Sequence, residues 1–198
     1  MLKKGFSLSL LIALPLVFLF GCAEGGKVDQ GRVIAFDKDK KLVTIIRDKK
    51  IDTLKPDYTY LPPLTYTLPD NPVEIGPLPK AGGRMKLDAE TNQITIFDFK
   101  TQNFKTIDFR SVEKKTDVAK DDPLVKDKKF PVIDRVNKII TIYSGRQKIL
   151  QTISVPEEYL FDLPDSAWDA GDEVRIYYKV DGKALRFMNI SQTDIYKK

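Results

Sequence analysis

Along most of the chain apolar and polar residues alternate with a period of two, in short runs rich in Val, Ile, Thr, Phe and Tyr that end at Asp, Asn, Gly or Pro. That period places every second side chain on one face of an extended strand, whereas a helix needs apolar positions three and four apart. In EVRIYYK (173–179), Val174, Ile176 and Tyr178 share one face and Arg175, Tyr177 and Lys179 the other, and Asp181-Gly182 then supplies a tight turn. The pattern predicts strands over 31–36, 42–47, 64–68, 84–88, 94–99 and 104–109, and again over 130–134, 138–143, 148–155, 173–179 and 184–190. Long helical periodicity is absent from this part of the chain, so the fold class is all-β.

The N-terminus breaks the pattern. Met1 to Lys4 is basic, and FSLSLLIALPLVFLF (6–20) is an almost unbroken apolar run ending at Gly21-Cys22. The run falls short of the roughly 20 apolar residues of a membrane span, and Pro15 interrupts it. A cleaved secretory signal helix over 1–21 therefore fits better than a retained span.

Leu19-Phe20-Gly21-Cys22 resembles the lipobox of bacterial lipoprotein precursors, with an aliphatic residue three positions before the cysteine and a small one directly before it. Phe20 departs from the usual small or aliphatic residue, yet Cys22 is the sole cysteine of the chain. The resemblance implies that Cys22 becomes the lipidated first residue of the mature protein. At about 0.8 kcal/mol per buried methylene, two or three acyl chains anchor it essentially permanently. Ala23 and Glu24 follow the cysteine where inner-membrane lipoproteins of Gram-negative bacteria usually carry aspartate. The resemblance thus implies an outer-membrane anchor facing the periplasm. The mature part also resembles bacterial envelope lipoproteins of unknown function, which implies no activity.

Residues 22–30 are small and polar and read as a tether. Beyond it the two halves look like copies. VIAFDKDKKLVTII (33–46) aligns without gaps on FPVIDRVNKIITIY (130–143), Leu68-Pro69-Asp70 recurs as Leu163-Pro164-Asp165, and Ala81-Gly82 recurs as Ala170-Gly171. VEKKTDVAKDDPLVKDKK (112–129) lies between them, charged and interrupted by Pro123, and reads as a linker. The expectation is two tandem small β-barrel modules of OB-like type, 31–111 and 130–198. Closure into barrels would remove the sheet edges at that size.

Composition mainly excludes. Without histidine, and with its one cysteine in the lipobox, the folded body has no thiolate or imidazole to ligate zinc, copper, haem iron or an iron–sulfur cluster. Nucleophilic triads that depend on histidine are excluded with them. The carboxylate pairs Asp121-Asp122 and Glu157-Glu158 and the loop Asp37 to Lys41 match no metal-binding motif, and no glycine-rich phosphate loop precedes a helix. No catalytic residue, metal site or cofactor is expected. The net charge of +5 includes Lys3 and Lys4 of the signal, and the finely mixed signs elsewhere argue against a nucleic-acid partner.

The segment PDYTYLPPLTYTLPDNPVEIGPLP (56–79) sets Tyr58, Tyr60 and Tyr66 among seven prolines. Two readings stay open: rigid prolines hold the rings outward for an envelope protein or glycan, or the rings cover the barrel core. The function read from the sequence is a lipid-anchored envelope protein, non-catalytic, acting in binding or assembly. The alternative is a saccharide-binding protein or a carboxylate-based glycan hydrolase of the periplasm.

Overall fold

A computed structural model describes residues 25–51 and 55–193; the signal over 1–21 and Cys22 lie outside the described residues. The described chain is nearly all β. Its strands are β1 (Lys27–Asp37), β2 (Leu42–Arg47), β3 (Leu64–Thr67), β4 (Arg84–Asp88), β5 (Gln93–Asp98), β6 (Asn103–Asp108), β7 (Arg110–Lys115), β8 (Val132–Asp134), β9 (Ile139–Ser144), β10 (Ile149–Ser154), β11 (Glu173–Val180) and β12 (Lys183–Asn189). A short helix, Glu157–Asp162, and a 3-10 turn, Asp165–Ala167, connect β10 to β11.

One turn design recurs through these hairpins. Asp37 accepts hydrogen bonds from the backbone N–H groups of Asp39 (3.1 Å) and Lys40 (2.9 Å), and the chain leaves the turn at Lys41 with φ of 52°. Asp88 does the same for Glu90 and Thr91 before Asn92 at φ 56°, and Asp134 for Asn137 before Lys138 at φ 58°. An aspartate that caps its own turn, followed by a left-handed residue that redirects the strand, suits a tight hairpin. These bonds favour the ionised carboxyls, and the pKa of each of the three is lowered, with backbone donors the leading cause for Asp37 and Asp134 and the Lys86 ammonium for Asp88. In each unit a threonine on the middle strand meets one on the third: Thr44 with Thr65, Thr95 with Thr106, Thr141 with Thr152, at 3.0, 3.3 and 3.0 Å.

The similarity seen in the sequence thus belongs to a three-stranded unit used three times, β1–β3, β4–β6 and β8–β10. Two of the copies align without gaps, LDAETNQITIFDFKTQNFKTIDF (87–109) on IDRVNKIITIYSGRQKILQTISV (133–155). The copies do not assemble in tandem. A closed barrel forms in the order β1-β11-β12-β3-β2, so strands from both ends of the chain make it together. The expected division into barrels over 31–111 and 130–198 is corrected accordingly. Residues between β3 and β11 instead build two open sheets, β4-β5-β6 and β7-β10-β9-β8. The anchors Ala81-Gly82 and Ala170-Gly171 are the places where the chain leaves and re-enters the barrel, side by side through a bridge between Gly83 and Ala170.

Three apolar clusters hold this arrangement. Val33, Val43, Ile45, Val174, Ile176 and Phe187 fill the barrel. Ile94, Ile96 and Ile107 of one open sheet meet Ile140, Ile142 and Ile153 of the other, with Leu160 and Trp168 of the connecting turns completing that core. Ile34 and Ile46 on the outside of the barrel pack with Met85 and Phe97, so the β4–β6 sheet is covered on both faces. The charged segment 112–129 is structured as well. Its first residues lie in β7, paired to β10, and Val118 and Val125 are buried, which corrects the linker expectation.

Candidate functional site

The tyrosines singled out in the sequence take different positions. Tyr58 is 6% exposed in the contact between barrel and sheet, with the Arg32 guanidinium 4.5 Å from its ring centre. Tyr66 is 3% exposed inside the barrel. Its hydroxyl donates to Oδ2 of the buried Asp29, which also accepts from the Tyr178 hydroxyl at 2.9 Å. Arg47 approaches Asp29 Oδ1 at 3.5 Å and lies 3.9 Å over the ring of the half-buried Tyr60. Burial first, and then the bond to the Asp29 carboxylate, push the phenols of Tyr66 and Tyr178 above their ordinary range. Tyr58 and Tyr66 therefore offer no ring face to a partner, and the docking role expected for them is corrected. Of the three rings Tyr66 belongs to the barrel core, Tyr58 to the contact between barrel and sheet, and Tyr60 lies half-buried against Arg47.

A cleft of about 1040 Å³ opens where the chain re-enters the barrel, between the 165–172 stretch with Lys80 and Arg84, the 120–130 segment and β8–β9. Its walls carry Lys80, Arg84, Lys120, Lys128 and Lys129. The acids that share them are engaged: Asp169 with Lys80 at 2.7 Å, Asp165 with Arg135 at 2.6 Å, and Asp172 with the Lys80 N–H and the amides of Asn189 and Gln192. Phe130 and Tyr143 stand in the same wall with ring centres 5.9 Å apart, and the Tyr143 hydroxyl donates to the Val118 carbonyl at 3.1 Å, which fixes its ring.

Arg84 stands at the floor. A bulge between Arg84 and Lys86 pairs Arg84 with Ile96 on β5, and paired residues project to one side of a sheet. Arg84 is thereby set at the edge of the inter-sheet core, 7% exposed, with its Nε buried and without a hydrogen-bond partner among the described residues. Burial, and then the nearby charge of Arg32, push its pKa down to about 10.

A family model described as "Domain of unknown function (DUF4881)" matches residues 24–198. The chain belongs to this DUF4881 family. No curated protein and no solved structure matches it. The cleft of this DUF4881 chain was hidden in the sequence, because its cations come from β4, from the segment read as a linker and from the stretch where the chain leaves the barrel. The nearest signal was the glycine pair Gly82-Gly83 just ahead of the strand expected over 84–88. Among the described residues no group of three or more Asp or Glu side chains is placed to hold a metal ion.

Proposed function

We propose that this chain is a lipid-anchored component of the bacterial envelope, held through Cys22 at the outer membrane on the periplasmic side, and that its β body acts by binding, without catalysis of its own. The signal, the lipobox and the lone cysteine at the cleavage point support the anchor. The observation that carries the binding role is the cleft: wide, lined by cations whose acidic neighbours are already committed, and walled on one side by Phe130 and Tyr143. Large clefts with a few convergent charged groups and aromatic walls are where ligands bind.

Between binding and glycan hydrolysis, the carboxylates favour binding. A carboxylate-based hydrolase needs two acids free to act across a glycosidic bond, whereas Asp165 and Asp169 are each neutralised by a cation. The paired rings support the saccharide-binding version of the proposal over an assembly role.

The anchor is tested on the full-length chain. Cys22→Ser is expected to abolish incorporation of labelled palmitate and to release the protein from the membrane fraction. Labelling and sedimentation equal to the unmodified chain would overturn the anchor.

A further inference from the structure

Resting on that binding reading, we infer that the cleft is an oxyanion site with Arg84 as its anchor, and that its ligand is an acidic saccharide whose carboxylate Arg84 holds while the sugar lies over Phe130 and Tyr143. A buried cation is costly to keep unless something pairs with it. Among the described residues Arg84 finds no such partner. Its Nε has no acceptor, and the carboxylate whose charge it feels, Asp169, is already bound at 2.7 Å by Lys80. Arg32 comes close, its Nη1 donating to the carbonyls of Arg84 and Met85 and its Nε buried without an acceptor like that of Arg84, so it sets a second positive charge against Arg84 instead of pairing with it.

The missing partner must supply negative charge and oxygen acceptors in one plane, because a guanidinium presents its donors as a rigid fork that matches a carboxylate or phosphate. Lys120, Lys128 and Lys129 around the opening draw such a ligand in. Of the ligands that carry an oxyanion, the aromatic wall favours one with a ring to lay against it. The mixed polar lining disfavours an acyl chain.

The test observes Arg84 directly, through the Nε–H resonance in a proton–nitrogen correlation spectrum of the folded mature protein. Trigalacturonate, inorganic phosphate and the neutral trisaccharide maltotriose serve as separate probes. Trigalacturonate is expected to move the Arg84 resonance saturably, phosphate to move it at higher concentration, and maltotriose to leave it in place. Arg84→Lys keeps the charge but loses the fork, and is expected to weaken trigalacturonate about tenfold. Because the resonance is read on the unaltered protein, the result does not depend on any variant folding. If phosphate moves Arg84 and trigalacturonate does not, the saccharide assignment is overturned. If maltotriose perturbs Phe130 and Tyr143 while neither anion touches Arg84, the oxyanion inference fails and the saccharide-binding reading stands. If no probe perturbs the cleft, both fail.

Discussion

Gly171→Ala is expected to destabilise the protein by about 3 kcal/mol or more, read as a lowered denaturation midpoint with unchanged slope. Gly171 lies where the chain returns to the barrel, and a Cβ there would collide with the carbonyl oxygen of Val33. The surroundings cannot give, because they are ladder. Val33 donates its N–H to Asp172 at 2.9 Å and accepts from Gly82 at 3.1 Å, and Asp172 donates to Lys80 at 2.8 Å. Gly82 faces the same crowding from the backbone of Asp169 and Gly171. Gly25→Ala is the control: no atom lies within 4 Å of a Cβ at that position. Equal midpoints for Gly171→Ala and Gly25→Ala would contradict the junction described here.

Tyr66→Ser is expected to cost about 4 kcal/mol, with Tyr60→Ser costing less than about 1 kcal/mol. Tyr66 loses a ring packed 5.3 Å from that of Tyr178, and Asp29 loses a donor in the closed interior of the barrel. Tyr60 is half-buried, and its main contact is the Arg47 guanidinium above the ring. Tyr66→Phe separates the two parts of the effect. It keeps the ring and removes only the hydroxyl, so about 1 kcal/mol of the loss should remain. Denaturant unfolding followed by fluorescence from Trp168, the single tryptophan, measures all three. Similar small losses for Tyr66→Ser and Tyr60→Ser would mean that Tyr66 does not close the barrel core.

Local pattern was legible in the sequence because hairpins are local. The runs expected at 42–47 and 84–88 are strands over those same residues, and the face assigned to Val174, Ile176 and Tyr178 is the face that fills the barrel. Gly182 at the β11–β12 turn has φ of 76°, as its Asp-Gly signal implied. β7 was invisible for a physical reason. Every one of its residues is exposed, so alternation carries no apolar signal, and it is held by its backbone ladder to β10 with polar contacts from Ser111 and Lys114. The short helix Glu157–Asp162 buries only Leu160, too little for a periodic stripe.

Closure of the barrel was illegible because it depends on pairing across the whole chain. Gln30 and Glu173, whose side chains bond at 2.7 Å, are 143 residues apart. Strong internal similarity pointed toward sequential copies, but similarity reports a shared turn and strand pattern and says nothing about which copy pairs with which. The cleft was lost for the same reason: its cations are scattered along the chain, and only the crossing at Gly82-Gly83 and Ala170-Gly171 gathers them.

The central claim is that Arg84 is kept buried for a ligand and not for the fold. Thermal unfolding of Arg84→Met beside the unaltered protein, each with and without trigalacturonate, tests it most directly. Methionine retains the apolar stem and removes a charge that no described residue pairs with, so the variant should gain about 1 kcal/mol, a rise of a few degrees. Ligand should then raise the melting temperature of the unaltered protein, by binding the folded state alone, and leave the variant where it was. A variant that melts well below the unaltered protein, or that gains as much from trigalacturonate, would contradict the account.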